Sequence, residues 1–141
     1  SSSLTKEDGH KLQVLHNKCL GMVTDSDYKT PTEVLLKKTN SLSVHQRIAH
    51  LSLSQVYNIH KTKLPAYHHS RLFENEHRTR SVDNYRVNRI EFGLSLARSN
   101  FFYQSSRLWS AIPDHIKAAH NKTTFKKKSK SWVKSNIMVK P

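Results

Sequence analysis

Acidic residues are what this chain carries least of for its size. Ten Asp and Glu stand against 24 Lys and Arg in 141 residues, a formal net charge of +14. Solubility alone asks for far less charge, so the imbalance points to a polyanionic partner, most often nucleic acid and sometimes a membrane surface. Glycine and proline are also scarce, at three and four residues. With no long strictly alternating run, that scarcity disfavours a β-sandwich or barrel and favours helices. The single cysteine, Cys19, rules out an intramolecular disulfide and a zinc knuckle or ribbon. No signal peptide and no apolar run of transmembrane length is seen, so the expectation is a soluble intracellular chain, nuclear or cytoplasmic. The start at Ser1 without methionine suggests a fragment or a processed product.

What is present is unevenly placed. Residues 1–40 hold six basic and five acidic side chains, whereas residues 101–141 hold nine basic and one acidic, Asp114. The apolar share is only 35%, enough for a thin core in one domain. The expected architecture is mostly α-helical and falls in three parts. These are a three-helix core over residues 1–65, an arginine-rich irregular arm over 66–100, and an aromatic anchor with a lysine-rich helix over 101–141.

Local signals fill in that outline. Leu12, Leu15, Cys19, Met22 and Val23 recur at spacings of three and four, which predicts an amphipathic helix over 5–23 with Thr5 and Asp8 as a loose capping pair. Cys19 lies on its apolar face, so a buried thiol is expected. Thr30 as N-cap, Pro31 at the first position and Glu33 in a capping box predict a short helix to about Lys38, burying Val34 and Leu35 and ending at Asn40. Ser43 with Gln46 predicts another over 44–61, burying Val44, Ile48, Leu51, Val56 and Ile59, with Pro65 past its end.

From residue 66 the periodicity weakens into arginine, histidine and asparagine. This reads as a long arm with short extended segments near 85–87 and 90–92, one that could order only on a partner. Apolar residues then return. Phe101, Phe102, Leu108, Trp109 and Ile112 are too apolar to leave in water, so Phe101, Trp109, Ile112 and Pro113 are expected to anchor the chain back on the core. Asp114 would cap a short helix through Ala119. Thr123 or Thr124 would cap a last helix on which Phe125, Trp132, Val133 and Ile137 share one face.

Catalytic constellations are missing. Asp25 and Asp27 alternate in a loop, where such pairs are turn and cap residues far more often than metal ligands. No nucleophile elbow or phosphate-cradling glycine loop occurs. Ten histidines invite a metal reading, but His45 and His50 are five apart, and His68, His69 and His77 have no cysteine or placed acid beside them. No catalytic residue, metal or cofactor is therefore assigned, and the chain is not expected to be an enzyme by itself.

The basic elements carry the functional signal. "FKKKSKSWVKSN" sets Lys126, Lys127, Lys128, Lys130 and Lys134 on a helix, long cations suited to neutralising phosphates without reading bases. A solvated amphipathic face is the bland alternative. In the arm, Arg71, Arg78, Arg80, Arg86, Arg89 and Arg98 interleave with Phe73, Tyr85 and Phe92, a composition suited to phosphate gripping and base stacking. Of these, Arg78, Arg80, Arg86 and Arg89 are the arm's candidate contacts. Two rival readings remain: a docking module of a larger polypeptide, and a processed cationic peptide acting on membranes.

The order of the pieces resembles the region C-terminal to the polymerase core in jockey-like non-LTR (LINE-type) retrotransposon reverse transcriptases. The matching residues run collinearly through nearly the whole chain: Leu12-Gln13 with His16 and Lys18, Thr30-Pro31-Thr32, Arg47 to Lys61, Thr79-Arg80, Leu108-Trp109 with Pro113 and Ile116, and Phe125-Lys126. Ser110 stands where the family usually has asparagine, and Ile112 where it has leucine. The family's catalytic tyrosine with two adjacent aspartates does not occur here. The resemblance implies a thumb-adjacent accessory segment that holds RNA or DNA beside the rest of a larger polymerase and performs no chemistry itself.

Overall fold

In the computed structural model, residues 5–73 and 101–139 are described. They form seven helices and, among the described residues, no strand: α1 (Lys6–Thr24), α2 (Thr32–Thr39), α3 (Val44–Thr62), α4 (Ala66–Phe73), α5 (Phe101–Ala111), α6 (Asp114–Lys117) and α7 (Lys122–Asn136). The mostly helical class expected from composition is what the structure has.

The central element is α3, and its start follows from its sequence. Ser43 Oγ accepts from the Gln46 amide at 3.2 Å while Gln46 Oε1 accepts from the Ser43 amide at 3.1 Å, a complete capping box. Gln46 also donates to the Ile137 carbonyl at 2.9 Å, which ties the chain after α7 to the start of α3. The helix ends at Lys63, in the left-handed region with φ 57°. Its inward face is Ala49, Leu53, Val56, Tyr57 and Ile59, whereas Leu51, expected inside, is 54% exposed. Around that face gather Leu42, Leu72, Trp109, Ile112, Ile116, Ala119, Phe125 and Val133. Tyr57 stacks on Phe125 with ring centroids 4.2 Å apart, and its hydroxyl donates to the Ala119 carbonyl at 2.7 Å.

Several expectations need correction. The arm does not begin at residue 66, because Ala66–Phe73 is a helix. Leu72 is fully buried, and Phe73 meets Trp109 edge-on at 6.2 Å and His60 at 4.9 Å. Tertiary packing of two residues thus orders a polar stretch whose own periodicity is weak. The expected extended segments near 85–87 and 90–92 lie outside the described residues. Pro31 is the N-cap of α2 and not its first residue, and no side chain caps that end. The pair buried from α2 is Leu35 and Leu36, with Val34 40% exposed. Asp114 opens only the single turn of α6, which stops at Lys117. The cap of α7 is Asn121, whose Oδ1 accepts from the Thr124 amide at 2.8 Å, and neither Thr123 nor Thr124.

The largest departure concerns α1. Its helix forms as expected, with Thr5 Oγ1 accepting from the Asp8 amide at 3.1 Å, but the apolar stripe faces outward. Leu12, Leu15, Met22 and Val23 are 44%, 57%, 83% and 79% exposed, and Cys19 is exposed as well. The docked face is polar. Gln13 Oε1 accepts from the Val44 amide at 2.7 Å, Gln13 Nε2 donates to Asn17 Oδ1 at 2.9 Å, and Asn17 Nδ2 donates to Thr32 Oγ1 at 2.8 Å. From α1 only Leu20 is buried, in a small cluster with Leu35 and Leu36. Because polar contacts and not apolar side chains seat this helix, the space beside it is incompletely filled. A cleft of about 800 Å³ opens there between α1, α3, α5 and residues 137–139.

Candidate nucleic-acid interface

The interface is built on the antiparallel pairing of α3 with α7. On α7, Phe125, Ser129 and Val133 are buried at spacings of four, and Trp132 packs partly buried at their margin. At about 100° per residue, this inward set forces Lys126, Lys130 and Lys134 into one row along the flank that meets α3. The row is located by two contacts. The Lys126 carbonyl accepts from His50 Nε2 at 3.1 Å, and Lys134 Nζ bonds to Asn40 Oδ1 beside the start of α3. Eight residues of helix separate those contacts, so the row is about 12 Å long.

The α3 side contributes Arg47 and His50, three residues apart and on one face. Burial lowers the pKa of His50, opposed by its bond to the Lys126 carbonyl, and the charges of Arg47, Lys126 and Lys130 lower it further. Cations on both helices thus disfavour the charged imidazole. Burial alone lowers His45 as well.

No Asp or Glu occurs between Val34 and Phe73 or after Asp114, so neither α3 nor α7 carries a carboxylate. Among the described residues the ion pairs are Glu7 with Lys11 at 3.3 Å and Asp114 with Lys117 at 3.6 Å, both remote from this row. Among the described residues the ridge is thus a local excess of positive charge without acid partners. In a cleft or along a ridge such an excess attracts polyanions and loses strength as salt rises.

The structure divides the residues expected to bind nucleic acid. It brings Lys126, Lys130 and Lys134 together and puts Lys127 on the exposed edge beside them. Lys128 falls on the opposite flank, so the five lysines do not form one surface. Arg78, Arg80, Arg86 and Arg89 lie outside the described residues. Lys117 is only 6% exposed, lies 5.7 Å from the Trp109 ring centroid and pairs with the exposed Asp114, so it adds nothing to the ridge.

Among the anchors, Trp109 and Phe125 are fully buried and Ile112 is 3% exposed. Pro113 and Trp132 are half-buried, and the Phe101 side chain lies outside what the structure describes. Sequence reasoning missed Arg47 and His50 as interface residues. The signal available was their three-residue spacing on a helix free of carboxylates.

Among the described residues, no three His, Cys, Asp or Glu side chains gather as metal ligands, and no helix is long and apolar enough to cross a membrane. Comparison with known proteins finds no matching family model, curated protein or solved structure, so the reading rests on the arrangement of these side chains.

Proposed function

We propose that this chain is a non-catalytic nucleic-acid-binding segment that grips the backbone of RNA or DNA through the α3–α7 ridge. The observation that carries the reading is the row of Lys126, Lys130 and Lys134 along the flank of α7 that meets α3, where His50 bonds the Lys126 carbonyl, on two helices devoid of carboxylates. Lysine rows of this kind neutralise phosphates and release counterions, which gives affinity without base preference. The collinear resemblance to the post-polymerase region of jockey-like retrotransposon reverse transcriptases supports a role as an accessory part of such a polymerase. In that role the segment steadies template, primer or target beside a catalytic centre located elsewhere.

The test is affinity for a single-stranded RNA measured across a salt series. Replacing Lys126, Lys130 and Lys134 together by Gln should reduce the log–log salt slope by up to about two units, while Lys128→Gln leaves it within error. A flat salt dependence of the unaltered chain would refute the proposal. Equal effects of Lys128 and the row would refute the ridge as the contact.

A further inference from the structure

The outward stripe of α1 is an extended apolar surface on a part of the chain with little net charge. Leu12, Leu15, Cys19 and Met22 are spaced by three, four and three, the a/d spacing of a coiled-coil seam, and all four are exposed. Their row lies about 160° around the helix from the docked polar face, so a second helix can approach it without disturbing the fold. Val23, 79% exposed, widens its C-terminal end. A chain of net charge +14 resists self-association, but this end of it does not, since residues 1–40 are nearly charge-neutral.

We propose that α1 pairs with α1 of a second copy in an antiparallel, two-fold symmetric seam. In that register Leu12 faces Met22 of the other copy and Leu15 faces its Cys19, and both pairings recur by symmetry, which makes four closed layers. The flanking charges select the direction. Antiparallel pairing sets Lys11, which also holds Glu7 in its own helix, toward the C-cap residue Asp25 of the second copy twice, with one like-charge meeting, Lys18 against Lys18, on the axis. Parallel pairing sets Lys11 against His16 and offers no acid to either Lys11 or Lys18.

The size of the seam sets its strength. Each side chain of this kind removes on the order of 100 Å² from water, so five bring about 500 Å² per copy. A standard stable interface needs roughly 800 Å² per partner. The pairing is therefore weak and concentration-dependent, and it strengthens when two copies are held close together.

Sedimentation equilibrium of the full chain, without nucleic acid, tests this independently of the ridge. A reversible dimer should grow in between about 10 µM and 1 mM, and Leu15→Glu, at an exposed position, should weaken association at least about tenfold with unchanged circular dichroism. The register is read by oxidation. A chain carrying Leu15→Cys with Cys19→Ser should form a mixed disulfide with the unaltered chain, whereas neither crosslinks alone, because the like positions lie beyond disulfide reach. A monomer at every concentration overturns the proposal, as does a dimer untouched by Leu15→Glu. Ready crosslinking of the unaltered chain through Cys19 overturns the antiparallel direction.

Discussion

His50 shows how one residue couples the stability of this chain to its surface charge. Its imidazole is pushed below the ordinary value of 6.5, first by burial and then by Arg47, Lys126 and Lys130. His45 and His60 are lowered too, His45 by burial and His60 by burial together with Lys61, His69 and Lys63. A histidine whose folded pKa is depressed binds fewer protons folded than unfolded, so stability rises with pH through the window below about 6.5. Acidification from pH 7.5 to 5.5 should therefore lower the melting temperature, and His50→Gln should shrink that dependence. A melting temperature constant over that range would contradict the burial of these rings. Affinity for a polyanion should move the other way, since a protonated His50 adds charge to the ridge. None of this is legible from spacing, because "HQRIAH" shows two histidines and an arginine but not the α7 carbonyl and lysines that surround the second histidine.

At the scale of elements, the features fixed by local chemistry are the ones sequence reading finds. The Ser43–Gln46 capping box starts α3, and Asn40, left-handed at φ 52°, ends α2. Of the face expected on α7, Phe125 and Val133 are buried and Trp132 and Ile137 pack partly buried beside them. Elements fixed by distant partners are hidden. The fourth helix is ordered by Leu72 and Phe73 against a core formed by residues far along the chain. The stripe on α1 reveals a helix and its apolar side, but periodicity does not say what covers that side. Hydrogen bonds from Gln13 and Asn17 turn the polar side inward instead. Seated by those bonds and by Leu20, α1 should open before the α3–α7 pair. In hydrogen exchange its amides should lose protection at least about tenfold faster than those around Val56, and Gln13→Ala should widen the gap. Equal protection of α1 and α3 would contradict a polar, loosely filled seat.

For the whole molecule, charge and packing are segregated. Among the described residues, acids occur only between Glu7 and Glu33 and at Asp114, while α3, α4 and α7 contain none. Sequence composition made that segregation visible, and it set the expected sign of a partner. The lysines' division between two flanks, and the entry of Arg47 into their row, depend on how α7 rolls against α3. The same roll sets the cost of recognition. Side chains of Tyr57, Phe125 and Val133 lock the two helices together, so the ridge is preformed. Occupying it should leave far-ultraviolet ellipticity unchanged and give a heat-capacity change near zero in titration calorimetry. Any gain of helix on titration would then report ordering elsewhere in the chain.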